Sequence, residues 1–212
     1  MDYLPLFPLE LVAFPGEALN LHIFEPRYRE LVHDCETQGL TFGIPTFLDG
    51  KLRAYGTEMR LTKVEKRYPD GKLDIRTEGI APFRLLDFDN QADGKQYAGG
   101  KVERLSWDAA PGAPDLIREA LTLLEEMYEH LNIQRPLPDA ATFHTFQIGH
   151  HAGLNTKQEF ELLQIDTENH RLEYLLEHLT KLMPSVREMA NLRRRVQMNG
   201  HFKNILPPDF KV

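Results

Sequence analysis

The period of apolar and polar positions changes once along this chain, near residue 111. Before that point apolar residues come in short runs separated by turn signals. Leu4-Pro5-Leu6-Phe7-Pro8-Leu9 and Leu19-Asn20-Leu21-His22-Ile23 read as two short strands broken by a Phe14-Pro15-Gly16 turn. Pro26 then stands where a helix should begin, because its fixed φ suits the first helical position and its missing N–H is not needed there. Tyr28, Leu31, Val32 and Cys35 recur at helical spacing, and Gly39 is placed to end that helix.

The strand pattern resumes at Thr41–Leu48, and Asp49-Gly50 is a tight hairpin signal. Met59–Lys66 and Leu73–Thr77 flank a second turn, Asp70-Gly71. Leu73, Ile75 and Thr77 alternate with Asp74 and Arg76, whereas Leu61 and Lys63 break strict alternation. Arg84–Phe88 and Lys101–Trp107 complete the set, and the polar stretch Asp89–Gly100 is expected to be an exposed loop. Many short strands with turns between them favour a small closed barrel over an open sheet.

From Pro111-Gly112 onward the period is about 3.6. Ile117, Leu121, Leu124, Tyr128 and Leu131 form one stripe, widened by Leu116, Ala120 and Met127, so this helix should pack on two sides. Pro136 and Pro138 are expected to end it. Phe143, Phe146 and His150 share a side of the next short helix. Thr156-Lys157-Gln158-Glu159 and Ser185-Val186-Arg187-Glu188 each read as a capping box that starts a helix. Leu172, Leu175, Leu176, Leu179 and Met183 supply the apolar face between them. The expected organisation is therefore α+β, with a β-rich unit over 1–110 and a helical unit over 111–212.

Composition narrows the function classes. With 42% hydrophobic and 27% charged residues, the 212-residue chain reads as an ordinary globular protein with a substantial core. A net charge of −7 disfavours non-specific contact with nucleic acid or anionic lipid. One cysteine, Cys35, rules out an internal disulfide framework and fits a reducing compartment. No signal-peptide pattern and no apolar run near 20 residues is visible, so a cytoplasmic location is expected. The tail Phe202–Phe210 carries Pro207-Pro208, which a helix cannot continue through, and this hints at a natural terminus.

Candidate chemistry is sparse. His144, His150 and His151 invite a metal site, but no H-E-x-x-H occurs and Cys35 is far away, so a buried His150 with exposed neighbours is preferred. His33 and Cys35 are two apart on one helix and cannot face each other. Cys35 itself is expected in the core. Arg193-Arg194-Arg195, with Arg187 and Lys203, is the one basic cluster. A helix carboxy-terminus favours cations through its dipole, so a solvated face is preferred over an RNA site. Glu25 suits a helix start, from which Arg27 and Arg29 could meet a partner.

Order, more than any single motif, points to a family. Pro5-Leu6-Phe7-Pro8-Leu9, then Phe14-Pro15-Gly16, then Phe24-Glu25-Pro26-Arg27-Tyr28-Arg29 closely resembles the amino-terminal substrate-binding domain of Lon proteases. Gln158, Leu162-Leu163, the cap Asp166 and Arg171-Leu172 extend the resemblance over almost the whole chain. The resemblance implies a PUA-like β-pseudobarrel followed by an α-helical bundle. It also implies affinity for exposed apolar or unfolded segments of client proteins, with a separate protease or ATPase as a further partner. It implies no cofactor. The protease's own chemistry is not seen. The four Gly-Lys pairs are followed by Leu, Leu, Gln and Val, so none completes a phosphate-binding loop. Ser106 reads as a strand residue and Ser185 as a cap, which leaves no credible serine nucleophile. A non-enzymatic recognition module is expected, with the alternative of a PUA-like small-molecule or RNA-binding protein. An apolar groove between barrel and bundle is the expected site, with Phe42, Phe47, Tyr55, Tyr68 and Phe83 as candidate lining and Arg27 and Arg29 as candidate partner contacts.

Overall fold

A computed structural model describes residues 2–107 and 110–202, with side chains up to residue 197. Lys203 and the proline-bearing tail from there onward lie outside the described residues. The strands are β1 (Asp2–Leu6), β2 (Ala18–Ile23), β3 (Phe42–Leu48), β4 (Lys51–Arg67), β5 (Leu73–Asp89) and β6 (Ala98–Arg104), with helix α1 (Pro26–Gln38) between β2 and β3. Their order across the sheet is β2-β5-β4-β3-β1-β6, and β6 also pairs with β5. That last pairing closes β1, β3, β4, β5 and β6 into a ring, with β2 attached outside it. β1 and β3 run parallel, and the other pairs are antiparallel.

The local signals work as expected at the turns. Asp49 and Gly50 have φ of 54° and 70°, the left-handed pair that a two-residue hairpin needs. Gly39 caps α1 at φ 68°, and its N–H donates to the Cys35 carbonyl. Tyr28, Leu31, Val32 and Cys35 of α1 bury against Phe7, Phe42, Ile44, Met59 and Ile75 of the barrel. A second barrel cluster joins Leu4, Leu6, Phe83, Ala98 and Val102.

Several expectations require correction. The segments expected as separate strands at Leu73–Thr77 and Arg84–Phe88 are one 17-residue strand, β5. Its centre passes under the Phe14-Pro15 backbone at Gly79, where a Cβ would collide with the Phe14 carbonyl. Leu61 and Lys63 break alternation because β4 carries register shifts against β5 at Glu58/Met59, Leu61/Lys63 and Val64/Lys66. The stretch Asp89–Gly100 is an exposed loop only in part: Asn90, Gln91, Asp93, Gly94 and Gln96 are exposed, but the rest is tied down. Ala92, Tyr97 and Ala98 are buried, and Lys95 Nζ and the Tyr97 hydroxyl each donate to Asp34 Oδ2 of α1 at 2.6 Å. Burial opposes ionisation of Asp34, but these two donors outweigh it and hold the carboxyl below its usual range. β6 ends at Arg104, so Ser106 and Trp107 lie outside the strand.

The helical half contains α2 (Pro114–Leu131), two 3₁₀ segments (Ala140–Thr142 and Thr145–His151), α3 (Thr156–Leu163) and α4 (Glu168–Phe202). Ile117, Ala120, Leu124, Met127 and Tyr128 of α2 pack on Leu172, Leu175, Leu179, Met183 and Val186 of α4. α2 stops earlier than the prolines predicted, at Asn132, which adopts φ 55°. The capping box of α3 is Asn155 with Gln158, one residue before Thr156. Thr167 takes the cap role assigned to Asp166, its hydroxyl accepting from the His170 N–H. Ser185 starts no helix, because α4 runs through it with Pro184 inside. An exposed Pro184 forfeits one hydrogen bond, and the apolar face of Met183 and Val186 holds the helix across it.

Two polar devices join the halves. Arg171 is fully buried. Its Nε donates to Glu168 Oε2 at 2.9 Å and its Nη1 to the Ile165 and Asp166 carbonyls, while its guanidinium lies 4.5 Å from the Phe146 ring centroid. Phe146 in turn stacks on Phe14 of the barrel at 5.2 Å. His150 was expected to be buried. Instead its side chain is 30% exposed and bridges two carboxylates, Glu17 before β2 (3.2 Å) and Glu159 of α3 (2.8 Å). Burial works against the charged ring, but the hydrogen bonds and charges of Glu159 and Glu17 override it and raise the pKa to about 10.

Two outcomes follow for stability. Arg171→Met leaves the Glu168 carboxylate buried without its counter-charge, so urea denaturation should show a loss of about 3–5 kcal/mol, while adding Glu168→Gln recovers part of it. A loss below about 1 kcal/mol contradicts the anchoring role. For His150 the folded pKa is raised above the ordinary 6.5. Its contribution is therefore complete below about 6.5 and disappears as pH rises through about 10. The stability gap between the natural protein and His150→Gln should narrow over that window; a gap independent of pH counts against the bridge.

Candidate functional site

β2 sends Leu19, Leu21 and Ile23 towards the core and Ala18, Asn20 and His22 outward. The outward series continues into Phe24, which is 59% exposed although the chain offers it no apolar cover. His22 Nδ1 meets Asp74 Oδ1 at 2.6 Å, and the Tyr68 hydroxyl donates to Asp74 Oδ2 at 2.7 Å. The His22 hydrogen bond, followed by that of Tyr68, keeps the Asp74 carboxyl below its usual range. The His22 ring lies edge-on to Tyr68 at 5.8 Å and stacks towards Phe24 at 6.3 Å; Lys66 Nζ sits 4.3 Å from the Tyr68 centroid.

Helix α1 begins beside this cluster. Arg27 pairs with Glu25 at 2.7 Å and lies over the Tyr28 ring, and Arg29 Nη1 reaches the Asp70 carbonyl in the β4–β5 turn. Tyr68, Arg27 and Arg29, three of the nominated residues, thus meet at one end of the barrel. They are joined by His22 and Phe24, which sequence reasoning missed. The signal was available: Phe24 occupies the outward register of a strand that alternates strictly from Ala18.

The other four nominated residues do not join them. Phe42 and Phe83 are core residues of two different clusters, and an aromatic with no exposed surface cannot line a groove. Phe47 is half-buried at the end of β3, where its N–H donates to the Leu9 carbonyl. Tyr55 packs edge-on against Phe160 of α3 at 6.4 Å. The expected groove between barrel and bundle is filled by Val12, Phe14, Phe146, Leu162 and Leu163. Among the described residues, concavities lie on the helical side. One of about 520 Å³ is bounded by α2 and residues 137–141, and another of about 380 Å³ by Tyr128, Ile133, Leu182 and Met189.

Burial pushes the Cys35 thiol up to about 12, so it is a packing residue with little thiolate character. Ser106 is exposed just after β6, and Ser185 is exposed on α4. His144 packs edge-on to Trp107 at 5.8 Å, away from the bridge made by His150. Among the described residues no three His, Cys, Asp or Glu side chains converge as metal ligands. Arg193, Arg194 and Arg195 are exposed on the last turns of α4, while Arg187 is engaged by both Glu126 oxygens at 2.7 and 2.9 Å. No helix among the described residues is long and apolar enough to cross a membrane.

The family model for the ATP-dependent protease La (LON) substrate-binding domain matches residues 3–181. The crystal structure of a Lon N-terminal domain protein from Xanthomonas campestris is 32% identical, with a TM-score of 0.68 over 84% of this chain and 98% of that one. The N-terminal domain of the Mycobacterium avium complex Lon protease is 14% identical, with a TM-score of 0.63 over 84% and 98%, and shares the fold. A closed barrel with an outrigger strand and a following helical bundle, together with these matches, makes this chain a member of the Lon substrate-binding domain family.

Proposed function

We propose that this chain is a cytoplasmic, non-enzymatic recognition module that binds exposed apolar or unfolded segments of client proteins. The carrying observation is the family match over residues 3–181, which is to the substrate-binding domain and not to an ATPase or protease module. The exposed aromatic cluster supports the same reading. Phe24 and His22 are exposed and Tyr68 is half-buried against them, beside the cations Arg27 and Arg29. Exposed aromatics next to arginine are the side chains that contribute most at protein interfaces. On this view the barrel, residues 1–110, carries the contact surface, and the bundle, residues 111–212, buttresses it.

The test is binding of a permanently unfolded protein, reduced and carboxymethylated α-lactalbumin, measured by titration against its native form. Saturable binding of the unfolded form alone is expected. The double substitution Phe24→Ala with Tyr68→Ala should weaken it about tenfold or more while the melting curve is retained. Equal affinity in the double variant removes the cluster from the site. The same purified protein should neither hydrolyse ATP nor degrade casein, and either activity would refute the non-enzymatic assignment.

A further inference from the structure

We infer that the free edge of β2 accepts an extended client segment as an added strand. This rests on the recognition function proposed above and names where and how the client sits. Gly79 N–H donates to the Glu17 carbonyl at 2.9 Å, which marks the pair opposite Glu17 and Gly79 as hydrogen-bonded. Antiparallel pairs alternate between bonded and non-bonded. Given the register Leu19↔Thr77, Leu21↔Ile75 and Ile23↔Leu73, those residues spend their backbone groups on β5. Ala18, Asn20 and His22 therefore turn their N–H and C=O groups to the other side, and among the described residues no strand pairs with β2 there.

This edge lacks the usual protections. Exposed edges are normally blunted by charge, proline, a bulge or a covering element. The strand Ala-Leu-Asn-Leu-His-Ile contains no charged residue and no proline, its pairing with β5 shows no register shift, and Ala18, Asn20 and His22 are all exposed. Leu19 and Leu21 are only half-buried, so the inward side chains of an added strand would complete their cover. The occupant is thus an extended polypeptide with apolar residues at alternate positions. Its outward face is also specified. Arg76 lies opposite Asn20, is exposed, and makes no ion pair among the described residues, whereas the neighbouring Asp74 and Glu78 are engaged by His22 and Arg60. An acidic side chain in the client at this position would complement Arg76. Phe24, immediately beyond the strand, gives an apolar residue at the client's end a surface to pack on. Main-chain hydrogen bonding makes such a site tolerant of sequence, as a binder of varied unfolded segments requires.

The experiment follows the backbone amides of the full chain by hydrogen exchange in NMR, with and without saturating reduced, carboxymethylated α-lactalbumin. Strand addition should slow exchange at Ala18, Asn20 and His22 about tenfold or more, with little change at Leu19 and Leu21, which β5 already protects. In parallel, Asn20→Pro removes an outward N–H without touching the β5 ladder, and should raise the dissociation constant about tenfold or more. Circular dichroism verifies that this variant folds, and the exchange pattern of the natural protein stands independently if it does not. Binding that leaves the three outward amides unprotected overturns the inference while sparing the recognition function. Protection that appears without probe and grows with protein concentration overturns it in favour of edge pairing between two copies. Absence of any binding to the unfolded probe refutes the recognition function itself.

Discussion

The joint between barrel and bundle depends on one buried cation. Arg171 has no contact with water, and a guanidinium in that position is tolerable only if its donors are satisfied and its charge is matched. Glu168 matches it from one turn earlier in α4, and the carbonyls of Ile165 and Asp166 take further donors. Glu168 then accepts from both the N–H and the hydroxyl of Thr145, which fixes the start of the second 3₁₀ segment. Phe146 follows directly, sandwiched between the Arg171 guanidinium and Phe14. The α3–α4 turn, the 3₁₀ segment and the barrel loop are thereby held in one stack.

Phe14 transmits the constraint into the barrel. Its N–H donates to Glu17, whose carboxylate also meets His150, and its carbonyl crowds Gly79 at the middle of β5. Thr57 of β4 secures the same loop through its hydroxyl, which donates to the Ala13 carbonyl at 2.5 Å. The loop between β1 and β2 is therefore clamped from both halves. This explains why the seam is solid where a groove was expected. The apolar surface of Val12, Phe14, Leu162 and Leu163 is consumed in joining the halves and is not free for a client.

What could be read from sequence divides along physical lines. Features encoded within a few residues were legible: the Asp49-Gly50 turn, Pro26 and Gly39 bracketing α1, the apolar stripes of α2 and α4, and the strand-then-helix order. Features set by distant partners were not. Asp89–Gly100 looks like a solvent loop because its polar residues give no sign that Lys95 and Tyr97 will find Asp34 some 60 positions away. Ser185 imitates a cap because a local pattern cannot reveal that α2 will hold α4 straight across Pro184. Tyr68 and Arg29 lie near each other because Arg29 of α1 reaches the β4–β5 turn, a meeting of distant segments that no local pattern shows. Phe42 and Phe83 were misjudged because an alternating strand does not disclose which face becomes the inside of a closed ring.

Closure itself leaves β2 exposed. β5 is long enough to serve two roles: Leu73–Glu78 pairs with β2, and Phe83–Asp89 pairs with β6 to complete the ring. A strand of this length must twist, and the register shifts in its pairings with β4 and β6 let it coil so that its two ends face different neighbours. β4 occupies the opposite side of β5 from Leu73 to Arg84. Once β6 has closed the ring, the outer side of Leu73–Glu78 can only be covered by a strand from outside it, and β2 is that strand. Beyond β5, no second strand pairs with β2 among the described residues. The same geometry that completes the core leaves one uncharged edge, with Phe24 at its end, facing solvent.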